Sequence, residues 1–210
     1  MNSQNSQNSQ NSQTTGKRSF AIPIILVLLV FSVTSNVLLY TKNIRHNQEQ
    51  LEERGMQIFQ AVVKSKEQAE ELAAFTAALL EEHKSSADKA RAKAATAAVF
   101  LAKDNTLVQL QQHAEASALD EANLKGAAQN AEQFMQEATA VLQQIGANSG
   151  PWSAEEEQQV GEINDKYKQI LDQLSGFPFN IEGYTSSMIR LANGYELTPI
   201  AEKVNNVLAQ

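Results

Sequence analysis

The sequence predicts an all-α protein: a single N-terminal transmembrane helix, then an antiparallel four-helix bundle or coiled-coil-like domain, then a short helical C-terminal extension. Three observations lead there. The stretch from Phe20 to Tyr40 holds no charged side chain. Beyond it, apolar residues recur at spacings of three and four, the period of a helix with one buried face. Across the chain there are only 9 Gly and 4 Pro, and aromatics make up 6%, so little breaks a helix or favours a strand.

The first segment is a tail in which Asn-Ser-Gln repeats from residue 2 to residue 13, followed by Thr14-Thr15-Gly16-Lys17-Arg18. So polar a tract has nothing to bury and is expected to be disordered. Phe20 to Tyr40 follows. As a helix it measures about 31 Å at 1.5 Å per residue, enough for the ~30 Å hydrocarbon core. A helix suits that medium because it satisfies its own backbone groups where water is lacking.

Lys17 and Arg18 precede this stretch and Lys42 and Arg45 follow it, so the charge asymmetry that orients membrane helices is nearly balanced. The short tail needs no translocation if it stays inside, and long acidic domains cross largely regardless of charge. The expected topology is an N-terminus in the cytoplasm and an extracytoplasmic C-terminal domain. A signal peptide cleaved near Val33-Thr34-Ser35 is the competing reading, and Val37 to Tyr40 continue the apolar run past that site.

From Thr41 the pattern stays helical. Ile44, Leu51 and Ile58 are seven apart, and the apolar face then strengthens through Phe59, Val62, Val63, Leu72, Phe75, Leu79 and Leu80. Ser85-Ser86-Ala87-Asp88 offers a Ser-x-x-Asp start signal. Ala87, Ala90, Ala94, Ala97 and Leu101 follow as a stripe that works only where a neighbouring helix comes close. Asp104-Asn105-Thr106 interrupts it before Leu107, Val108 and Leu110. The third stripe reads Leu124, Ala128, Ala131, Met135, Ala138, Leu142, Ile145, with Gly146 at the expected C-terminal cap. Ser153-Ala154-Glu155-Glu156 is a capping box, and Val160, Ile163, Tyr167, Ile170 and Leu174 follow it, ended by Gly176.

After Gly176 aromatics enter a loop-rich segment. A short helix is expected over Ser186–Ala192, stopped by Asn193-Gly194. A last one begins at Thr198-Pro199, with threonine as N-cap and proline at the first helical position. The chain thus divides into a disordered polar tail (1–18), a membrane helix (19–41), a juxtamembrane helical stalk (42–57), a four-helix bundle (58–176) and a loop-rich segment with short amphipathic helices (177–210).

Charge narrows the partners. The net charge is −7, and Lys17 and Arg18 are the only charged residues before Lys42, which leaves −9 on residues 42–210. That argues against nucleic acid, which rewards a basic face. The chain has no cysteine, so disulfide and thiolate chemistry are excluded. Of the three histidines, His46, His83 and His113, none stands three residues after a glutamate, as a di-iron bundle would need. The histidines, the runs Glu81-Glu82 and Glu155-Glu156-Glu157, and the basic cluster Lys89, Arg91 and Lys93 all read as solvated helix faces. No catalytic residue, metal ligand or cofactor site is expected. Trp152, Phe177, Phe179, Tyr184 and Tyr195 are the candidate partner-binding residues, because aromatics dominate binding hot spots; the plainer reading is that they plug one end of the bundle.

In outline, a membrane helix followed by four long helices resembles the extracytoplasmic sensing bundle of bacterial receptors. The resemblance is one of architecture and no motif carries it. Such receptors return through a second membrane helix, and nothing after Leu174 here is long or apolar enough to do so. The expected function is that of a membrane-anchored, non-enzymatic protein of the cell envelope. It would contact the bilayer through residues 20–40 and act by protein–protein interaction, scaffolding or self-association. The alternatives are a ligand-sensing accessory module working through a membrane partner and, if the apolar stretch is cleaved, a secreted helical protein.

Overall fold

The computed structural model describes residues 21–117 and 124–210; the polar tail and Phe20, the first residue of the apolar stretch, lie outside them. Every element among the described residues is helical. In order they are α1 (Ala21–Glu82), α2 (Ala87–Lys103), α3 (Thr106–Ser117), α4 (Ala127–Ala147), α5 (Ala154–Ser175), a 3-10 turn (Phe179–Ile181), α6 (Thr185–Ala192) and α7 (Thr198–Leu208). The chain forms two compact units, Met1–His46 and Asn47–Gln210.

In the first unit the described residues are the N-terminal part of α1. Its large apolar side chains, from Ile22 to Tyr40, are all solvent-exposed. Among the described residues α1 carries the one helical stretch long and apolar enough to cross a membrane. The hydroxyls of Thr34 and Thr41 donate back to the carbonyls of Val30 and Val37, both at 2.8 Å.

The second unit is built on one core. Within it α2 lies along α4, α3 contacts α4 and α7, and α5 contacts α4 and α7. The stripes that periodicity predicted supply this core: Ala90, Ala94, Ala97 and Leu101 from α2, Ala131 to Ile145 from α4, and Val160 to Leu174 from α5. Ile58, Phe59, Val62, Leu72 and Leu79 of α1 belong to it, as do Met188, Leu191, Ile200, Val204 and Leu208 from the C-terminal helices.

The alanine stripe of α2 is buried because α4 comes very close. A Cβ built on Gly146 would stand 2.8 Å from the Ala95 Cβ. Gly146 is therefore not the cap expected of it. It is the groove residue that admits α2, while α4 runs on to Ala147 and ends at Asn148. The break at Asp104-Asn105 has a long-range cause as well as a local one. Gln68 of α1 donates to the Asp104 carbonyl at 2.6 Å and accepts from the Thr106 hydroxyl at 2.5 Å, so one side chain serves both helix ends.

Local signals held to different degrees. The box at Ser153 is complete, with Ser153 Oγ accepting from the Glu156 N–H and Glu156 accepting from the Ser153 N–H. At α2 the N-cap is Ser86, whose side chain makes no capping bond, and the Ser85 hydroxyl turns back to the Glu82 carbonyl. At α7 the N-cap is Leu197, so Thr198 is already helical and Pro199 lies one position further in than expected. Either position suits a proline, because first-turn N–H groups have no partner within the helix.

Candidate functional site

Two places gather chemistry-bearing side chains. The first is a hub at the turn between α4 and α5. Arg91, expected on a solvated face, is only 5% exposed. Its position explains this, since it stands four after Ala87 and three before Ala94, on the buried side of α2. The guanidinium reaches across to the turn and donates to three carbonyls: Ile145 at 2.8 Å, Gly150 at 3.0 Å and Pro151 at 3.1 Å. It also donates to Glu156 Oε1 at 3.1 Å.

Glu156 was likewise expected in solvent and is 8% exposed. It lies four residues before Val160 and so on the core side of α5. Its Oε1 accepts from Asn148 as well as from Arg91, and its Oε2 accepts from the Ser153 N–H. Burial alone would push this carboxyl up. The hydrogen bonds from Arg91, Asn148 and Ser153, together with the Arg91 charge, outweigh burial and hold it at about 2.

Trp152 completes the hub. Its ring stacks on His83 with centroids 5.0 Å apart, and the Arg91 guanidinium lies 6.0 Å from its centroid. The His83 side chain is 10% exposed and its Nε2 stands 3.5 Å from Glu157, so it is not the surface residue expected. The sequence did contain a signal: His83 follows the buried Leu79 by one helical turn. His113 is also half-buried. Burial, followed by the nearby Arg54 charge, lowers its pKa from the ordinary value. Arg54 meanwhile donates to the Ala116 carbonyl and the Ser117 hydroxyl at the end of α3, where a cation suits the helix dipole. His46 is exposed.

The second place is the aromatic segment after α5. Phe177 is buried, packing against Phe59 at 6.0 Å and Phe179 at 5.1 Å, and the Lys66 ammonium lies 5.3 Å from the Phe179 ring. Phe59 precedes His83 by 24 residues, a distance of roughly 36 Å along the helix axis. Trp152 and Phe177 thus stand at well-separated levels of α1, and the five aromatics do not form one surface. Tyr184 and Tyr195 are the exposed ones, at 64% and 55%. Arg190, paired with Glu196 at 2.7 Å, lies 5.2 Å from the Tyr195 ring.

Among the described residues no three His, Cys, Asp or Glu side chains are grouped as a metal site needs. The Arg91–Glu156 pair is a tie between helices, its donors and acceptors spent on one another, on Asn148 and on nearby backbone. Trp152 Nε1 and His83 Nδ1, by contrast, are buried without a hydrogen-bond partner among the described residues. No family model matches the chain, and no curated protein or solved structure matches it.

Proposed function

We propose that the chain is a single-pass, membrane-anchored, non-enzymatic protein whose helical domain works by binding another protein of the cell envelope. One observation carries the reading. From Ile22 to Tyr40 the large apolar side chains project from every side of α1 and are all exposed. A helix apolar all round needs an apolar medium on all sides, and a bilayer provides one.

Residues 47–210 are then the working part, read as an antiparallel four-helix bundle with α6 and α7 as its extension; the contacts of α4 with α2 and α5 support this. The −9 charge of residues 42–210 disfavours nucleic acid and anionic lipid as its partner and leaves protein as the better fit. Tyr184 and Tyr195 are the aromatics with the most surface to offer such a partner. The short tail stays in the cytoplasm and the acidic domain lies outside.

Protease treatment of intact cells making the full chain with a C-terminal tag tests this topology. Loss of the tag without lysis is the expected result. A tag protected until lysis would place the domain in the cytoplasm and send the search for partners there.

A further inference from the structure

We propose that a second copy of this chain is the partner of the N-terminal part of α1, and that the two helices pair in the bilayer through Asn36. The inference rests on the membrane-anchor reading above. Thr34 and Thr41 satisfy their hydroxyls on their own helix. The Asn36 carboxamide does not: among the described residues it finds no hydrogen-bond partner. It lies four residues before Tyr40, about 6 Å inside the end of the apolar stretch. In hydrocarbon an amide without a partner is costly, and a neighbouring helix is the usual relief.

The chemistry favours an identical neighbour. A carboxamide carries both donors and an acceptor, so two Asn36 side chains facing each other across a two-fold axis satisfy one another without any other group. The residues around Asn36 suit close pairing. Ile25, Leu29, Ser32, Asn36 and Leu39 follow one another at spacings of four and three, which places them on one stripe of the helix. All are exposed. Ser32, one turn before Asn36, is small enough to let two backbones approach. Val27, Phe31, Thr34 and Leu38 fall on the other side.

The absence of cysteine makes the test direct, because each introduced thiol is the only one in the molecule. The full chain, reconstituted in phosphatidylcholine vesicles, would carry single cysteines at 25, 29, 32 and 39, or at 27, 31, 34 and 38, and be oxidised. Disulfide dimers at the first four positions and not at the second four are expected. In the Leu29→Cys background, Asn36→Leu should weaken dimerisation about tenfold while Asn36→Gln retains it. Chain that floats with the vesicles but cross-links evenly, not at all, or indifferently to Asn36→Leu overturns the pairing and leaves the anchor standing. Chain that does not float with the vesicles overturns the anchor and the pairing with it.

Discussion

Arg91 of α2 and Glu156 of α5 meet at 3.1 Å with both side chains buried, and the same guanidinium holds one carbonyl in the last turn of α4 and two of the chain between α4 and α5. One residue therefore ties three helices together. Removing it strands a buried carboxylate and three acceptors at once. Arg91→Met should destabilise the protein by about 3–5 kcal/mol. The double variant with Glu156→Gln should cost less than the two single changes added together, because the stranded charge is then gone. Urea unfolding followed by the fluorescence of Trp152, the single tryptophan and a neighbour of Arg91, measures both. Simple additivity would show that the pair is not coupled.

The same carboxylate predicts a dependence on acid. Its pKa falls from 4.5 in the unfolded chain to about 2 in the folded one. Folding thus favours the ionised form, and the stabilisation is fully present above about 4.5 and lost as pH falls towards about 2. Stability of the wild-type chain should drop across that window more steeply than that of Glu156→Gln. Parallel curves would show that Glu156 does not drive the loss.

Tyr167 gives a change in the opposite direction. Its ring packs 5.2 Å from Phe134 in the core, and burial pushes its phenol well above the ordinary range. The hydroxyl is buried with no hydrogen-bond partner among the described residues. Tyr167→Phe keeps the ring and removes an unsatisfied polar group, so a gain of about 1 kcal/mol is expected in urea unfolding. A loss of that size would mean that the hydroxyl makes a bond worth keeping.

Two glycines inside helices should respond oppositely to alanine. A Cβ on Gly55 would lie 2.0 Å from the Met188 carbonyl oxygen, where α1 passes the backbone of α6, whereas one on Gly161 meets nothing within 4 Å. Gly161→Ala should raise the midpoint of thermal unfolding, with a gain of about 0.5–1 kcal/mol from the better helix former. Gly55→Ala should lower it despite the same intrinsic gain, because backbone must move. Equal shifts would contradict the close approach of α1 and α6.

Repeats along a helix were legible in the sequence, and relations across the fold were not. Val160, Ile163, Tyr167, Ile170 and Leu174 are read from spacing alone, and all five are buried. The box at Ser153 involves neighbours within one turn, and it forms as its residues imply. Arg91 and Glu156 are 65 positions apart, and each sits among charges that look solvated. Their places on apolar stripes were the available signal, and charge masked it. Gly146 shows the same limit: a glycine after a stripe resembles a cap unless the facing Ala95 is known. The aromatics look contiguous because Phe177, Phe179, Tyr184 and Tyr195 are near in sequence. Burial separates Phe177 from the exposed tyrosines, and the helix length separates it from Trp152.

The central claim is that the apolar part of α1 anchors the chain in a bilayer. Flotation of alkali-washed membranes from cells making the full chain tests it most directly. The anchor predicts full-length protein rising with the lipid after the wash has stripped proteins held only at the surface. Protein left in the soluble fraction, or a shortened chain lacking the apolar stretch, would contradict it.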